Sequence, residues 1–107
     1  MANNYKNAKV DLSSTSNTVI YTCPTATQSI IKSILISNDS GSSDTLDITL
    51  LNSASAIFSL FKAKSVASNT TVELLSQPLI IEEGEILKAQ ATTADRLHII
   101  VSFLEVN

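Results

Sequence analysis

His98 is the one imidazole in these 107 residues and Cys23 the one thiol. Nucleophilic chemistry would have to be built around them, and acid–base chemistry around them or a pair of carboxylates. A nucleophile–base pair needs a hydroxyl or thiol held against the imidazole and an acid to orient it. Serines are plentiful, but none stands in a G-x-S-x-G turn. Strand alternation turns His98 the opposite way from Leu97 and Ile99, so it reads as a strand histidine facing outward or into an interface. Cys23 precedes Pro24 and has no basic residue beside it in sequence to favour the thiolate. That is the setting of an inert, buried thiol.

The carboxylates cluster in two places. Asp39, Asp44 and Asp47 surround a Gly-Ser segment and could hold a hard cation such as calcium. Their spacing fits no EF-hand loop, and turn aspartates commonly cap their own backbone. Glu82, Glu83 and Glu85 could supply the acid and base of a glycosidase if two of them faced each other across a cleft. Such clefts are commonly lined by aromatic rings, and this chain has two Tyr, three Phe and no Trp. The acidic run reads instead as a solvated tight turn, with Gly84 free to take a positive φ. C-x-x-C, H-E-x-x-H and phosphate-cradling glycine loops are missing from the sequence. The expectation is a non-enzymatic chain with no catalytic residue, no metal and no cofactor.

The remaining residues belong to strands. Ser and Thr together number 27, and Ile, Leu and Val number 30, against two Gly and two Pro. With β-branched residues dominant and no sustained helical period, short alternating runs are bounded by polar turn clusters. They predict strands over residues 7–12, 18–22, 29–38, 45–52, 57–62, 70–75, 79–81, 86–92 and 97–106. In the first, Ala8, Val10 and Leu12 share a face. In the third, Ile30, Lys32, Ile34 and Ile36 share one face and Ile31 and Leu35 the other. In the fifth, Phe58 and Phe61 lie on opposite faces. Eight or nine short strands with turns about every 8–12 residues describe an all-β fold, a single-domain antiparallel β-sandwich of jelly-roll-like form. It spans residues 1–107, with residues 1–6 as a flexible or interface arm.

Charge and length narrow the partners. The net charge is −3 and the seven basic residues are scattered, unlike the concentrated basic face of a nucleic-acid module. Residues 1–10, MANNYKNAKV, lack the apolar core of a signal peptide, and the apolar runs are too short to cross a bilayer. Neither nucleic acid nor membrane is expected as a partner, and synthesis in a cytosol fits the unpaired cysteine. Charged residues make up only 16% of the chain while apolar residues make up 44%. Hydroxyls therefore cover much of the surface, which lowers the cost of burying it against other subunits.

Two segments carry a resemblance. IYTCPTATQSIIKSILISNDSGSSDTLDITL (residues 20–50) and VELLSQPLIIEEGEILKAQATTADRLHIIVSFLEV (residues 72–106) resemble small virion structural proteins of tailed bacteriophages, including those of marine cyanobacterial phages. The shared pattern is a Y-T-x-P strand end, a strand rich in Ile, Val and Lys leading to Asn, a Pro-Leu strand running into E-G-E-I-L, and a last strand ending in Leu-Glu. The resemblance implies a β-sandwich subunit of the virion, made in the host cytoplasm. It would sit on the capsid as a decoration, or in the neck or tail, with other virion proteins and further copies of itself as partners in a homo-oligomer. Its motifs are structural and carry over no active-site residues. Tyr5, in the arm, and Phe58 and Phe61 are the interface candidates. The alternative is a carbohydrate- or receptor-binding module on the phage surface, which would present exposed rings or a calcium site at its loop ends.

Overall fold

Alternating apolar and hydroxyl side chains give each strand one face that must leave water, and two such sheets cover each other. The structure, a computed structural model, describes residues 2–107. Its described residues form nine strands: β1 (Asn3–Asp11), β2 (Thr18–Thr22), β3 (Gln28–Asn38), β4 (Asp44–Leu51), β5 (Ile57–Val66), β6 (Thr70–Glu73), β7 (Leu79–Ile81), β8 (Ile86–Ala91) and β9 (Leu97–Val106). One sheet has the order β1-β9-β3, with β6 and β7 both pairing the far side of β3; the other has the order β2-β8-β4-β5. Every pairing is antiparallel. With β6 and β7 filling one strand position, these are the two interleaved Greek keys of a jelly roll.

The core lies between the sheets. Ile31, Ile34, Ile36, Ile99 and Val101 from one sheet meet Leu46, Ile48, Leu87 and Ala89 from the other, all fully or almost fully buried. In β9 the alternation is unbroken: Leu97, Ile99, Val101, Phe103 and Glu105 point inward and the residues between them outward. The last inward position is a carboxylate, and that has consequences for the site.

β3 corrects one expectation. Ile30 does not share a face with Ile34 and Ile36. A bulge between Ile31 and Ser33 inserts Lys32 as an extra residue, and a one-residue insertion reverses the inside–outside phase. Ser29 and Ile31 therefore point inward before the bulge, and Ile34 and Ile36 after it. Opposite the bulge, the edge strand is interrupted. The Glu73 carboxylate accepts the Ser33 hydroxyl, the Ile34 N–H at 2.8 Å and the Leu75 N–H at 3.2 Å. These bonds end β6 at Glu73, two residues before the expected end; the Leu74 N–H still reaches the Ile34 carbonyl at 2.9 Å, and strand pairing with β3 resumes at Leu79.

The edge strand β5 corrects another. It runs to Val66 rather than stopping at residue 62, because Ala63 takes a left-handed φ of 51° and its N–H is accepted by the Asp47 carboxylate at 2.6 Å. The strand absorbs this bulge and continues. A second bulge leaves Leu60 unpaired, so Phe61 stands opposite Ile48 and Phe58 opposite Leu50. Both phenylalanines lie on the side of the sheet that carries the core, not on opposite faces.

β1 begins four residues earlier than expected. Its polar start is held because β9 extends to Val106, and the two strands pair residue for residue from Asn3–Val106 to Asp11–His98. Ala2 continues the ladder, exchanging backbone hydrogen bonds with Asn107 at 2.7 and 3.0 Å. Of the residues expected as an arm, Met1 lies outside the described residues and Asn3–Lys6 are in this strand.

Gly84 takes a positive φ of 79° in the acidic turn, as its place in the sequence predicts. With so few glycines, other corners use ordinary residues: Ala26, Ser55, Asn69 and Asp95 are also left-handed. Replacing a core residue tests the architecture. Ile36→Ala should cost about 2–5 kcal/mol, read as a shift in the urea unfolding midpoint with an unchanged slope.

Candidate functional site

The reactive side chains are positioned apart from one another. His98 projects from the outer face of β9, where its Nδ1 lies 3.4 Å from Asp11 Oδ1 and its Nε2 3.5 Å from Asp39 Oδ2. Among the described residues, no hydroxyl or thiol hydrogen-bonds the imidazole. Asp39, Asp44 and Asp47 do not converge: Asp39 faces His98, Asp44 accepts the Thr93 N–H at 3.1 Å, and Asp47 holds the β5 bulge. In the acidic turn, Glu85 accepts the Glu82 N–H at 2.8 Å and Glu83 accepts the Ala26 N–H at 2.9 Å. These carboxylates fix backbone. No group of three His, Cys, Asp or Glu side chains among the described residues is arranged to hold a metal.

Two open clefts mark the surface. The larger, about 340 Å³, is lined by Ala26, Thr27, Gln28, Glu82, Glu83, Val106 and Asn107; the smaller, about 250 Å³, by Ser37, Asn38, Asp39, Asn69, Thr70 and Thr71. No aromatic ring lines either among the described residues.

Sequence reasoning missed a polar network at the inner end of β9. Glu105 is almost fully buried. It accepts the Tyr21 hydroxyl at 2.6 Å and pairs with Lys6 Nζ at 2.8 Å. The Tyr21 ring lies 4.3 Å from that of Phe103, centroid to centroid. Burial alone would raise the Glu105 pKa, but Lys6 and the Tyr21 hydroxyl outweigh it and hold the carboxyl below its usual range. Burial, and then the bond to Glu105, push the Tyr21 hydroxyl well above its own. The signal was available: Glu105 falls on the inward phase of an otherwise apolar alternation, where an unpaired carboxylate is too costly to bury. Next to this network, Cys23 donates to the Thr27 carbonyl at 3.3 Å, and burial raises its thiol pKa.

The interface candidates are surface residues of different kinds. Tyr5 is 76% exposed on the outer face of β1. Phe58 is 54% exposed near the start of β5, beside an Ile57 that is 67% exposed. Phe61 is partly buried and packs against the core. Sequence did not single out Ile80, which is 52% exposed on β7. Cross-strand register puts it in line with Ile30, Leu104 and Tyr5. These four side chains form an apolar row across the outer face of the first sheet.

Fold and site together define a jelly-roll module that carries apolar surface and no assembled reactive centre among its described residues. No protein-family model matches the chain, and no curated protein matches it in sequence. The solved structures that match include one described as "Bacillus endospore appendages form a novel family of disulfide-linked pili", which covers 97% of this chain and 84% of its own, with a TM-score of 0.57 and 8% sequence identity. That likeness shows a shared fold.

The network makes stability depend on acid. Because the folded Glu105 and Glu73 pKa values are lowered, their contribution is complete above the unfolded value of about 4.3. It is lost as pH falls through the folded values. Urea unfolding at pH 7 and pH 3 should show this loss, and Glu105→Gln should lower stability at pH 7 while narrowing the difference between the two. Tyr21→Phe should cost about 1.5–3 kcal/mol at pH 7, the worth of a hydrogen bond to a charged group.

Proposed function

We propose that this chain is a non-enzymatic virion structural protein of a tailed bacteriophage. It assembles on the capsid, neck or tail through the surfaces of its sandwich. The observation that carries the reading is the continuous apolar row of Tyr5, Leu104, Ile30 and Ile80 across one outer sheet face, with Tyr5 and Ile80 exposed, on a domain with little charge. Contiguous exposed apolar surface marks interaction sites. Repetition on a particle lets a contact that is weak in one copy hold by avidity. The jelly-roll neighbour supports an assembling structural role, since it comes from appendages described as pili. The carbohydrate- or receptor-binding alternative gains nothing from the two clefts, which present no ring for a sugar to stack on.

Assembly of this chain would be non-covalent. Its one cysteine is 1% exposed and hydrogen-bonded inside the fold, so it is not placed to link subunits by disulfides. Cys23 should stay unreactive toward a chromogenic disulfide reagent until denaturant is added, and reductant should leave the oligomeric state unchanged. Rapid reaction of the native thiol would contradict this.

Mass spectrometry of purified particles of the phage that encodes the chain tests the main reading. Many copies per particle are expected. Particles that contain the other structural proteins but lack this chain would overturn it.

A further inference from the structure

We infer that the outer face of the β1-β9-β3-β6/β7 sheet is the contact surface for a second copy of this chain, related by a twofold axis that runs along the strands between β9 and β3. This rests on the assembling role proposed above and names its first contact.

The argument begins with register. Tyr5, Leu104, Ile30 and Ile80 stand directly opposite one another on β1, β9, β3 and β7. Side chains at such positions are near neighbours on one face, so the row is continuous from one edge of the sheet to the other. Further along the strands, Lys9, Ile100, Leu35 and Glu73 form a parallel row across β1, β9, β3 and β6. Between the two rows lie Asn7, Ser102 and Ser33, all small polar groups, with the long side chain of the bulged Lys32 exposed beside Ser33.

These rows complement themselves. A twofold axis along the strands keeps each row at its own level and reverses the strand order. Tyr5 of one copy then faces Ile80 of the other, Leu104 faces Ile30, Ile100 faces Leu35, and Lys9 faces Glu73. Every apolar residue of the two rows meets an apolar one, and the lysine meets the carboxylate, at both ends of the interface. An isologous contact requires this self-matching. Lys9 is free to take part: its ammonium bonds only the Asn7 amide oxygen at 2.8 Å and forms no ion pair among the described residues. Glu73 remains an anion, because the hydrogen bonds it accepts outweigh burial and hold its carboxyl below its usual range.

The face is large enough. The molecule measures 45 × 26 × 22 Å. Two sheets packed about 10 Å apart, with their outer side chains, account for the shortest dimension and leave the other two to each face. A stable interface typically buries about 800 Å² per partner, which fits within that outline. Two sheets packed face to face keep their strand directions within about 30° of each other, as this arrangement has them.

The test uses the whole chain. Light scattering coupled to size exclusion should show a dimer that dissociates on dilution. Leu104→Glu should raise the dissociation constant roughly tenfold or more without changing the melting temperature of the monomer, since this side chain lies outside the core. Register is read by mixing a Tyr5→Cys variant with an Ile80→Cys variant under oxidation. Each variant carries one introduced thiol, and the native Cys23 is buried and does not compete. A mixed disulfide dimer that forms faster than either homodimer supports the inference. A monomer at concentrations up to about 1 mM, or preferential Tyr5–Tyr5 linkage, overturns it. If such a monomer is still found in purified particles, the assembling role stands and another virion protein covers this face. If the dimer forms but particles lack the chain, the inference stands and the virion role fails.

Discussion

The ladder that β9 makes with β1 on one side and β3 on the other is the constraint on which the rest of the structure depends. β9 is paired on both edges along its length and carries five consecutive inward positions without interruption. A one-residue slip would exchange Leu97, Ile99, Val101 and Phe103 for His98, Ile100, Ser102 and Leu104. The core would then receive an imidazole and a hydroxyl, and several buried hydrophobes would enter water. This penalty fixes the register of the first sheet. Once that register is fixed, the outer residues of three neighbouring strands are aligned as well. The apolar row on the surface is thus a by-product of the same pairing that builds the interior.

The second sheet and the break at β6 are accommodations to this ladder. β3 must satisfy β9 along one edge while its other edge is served by two short strands. The bulge at Lys32 and the interruption after Glu73 occur at the same level of the sheet. A carboxylate that takes hydrogen bonds from both strands replaces the ladder bonds lost there. Backbone donors that would otherwise be orphaned are satisfied by a side chain at modest desolvation cost, because Glu73 lies near solvent. Glu105, at the buried end, binds side chains instead of backbone, and Lys6 and Tyr21 make its charge tolerable.

Much of the fold is legible in the sequence where alternation is clean. The bounds of β2, β7 and β9 follow from period and punctuation alone. Legibility fails where one residue breaks the period. Lys32 gives no local sign of a bulge, and Ala63 gives none of a left-handed corner that lets β5 continue. The polar start of β1 is invisible because its stability comes from pairing with β9 rather than from its own side chains. The candidate surface is less legible still. Tyr5 is recognisable as an exposed ring near the chain start, but its alignment with Leu104, Ile30 and Ile80 depends on which strands are neighbours. That is non-local information that no window of residues contains.

The left-handed corners have a further implication, for engineering. A non-glycine residue in that region carries about 1–2 kcal/mol of steric strain; Asn and Asp bear it best, which suits Asn69 and Asp95. Ala26, Ser55 and Ala63 have no such excuse. Glycine there would relieve the strain, against about 0.5–1 kcal/mol of added chain entropy in the unfolded state. The molecule thus holds unclaimed thermal tolerance at these three positions, two in turns and one at the β5 bulge, reachable without touching its interior.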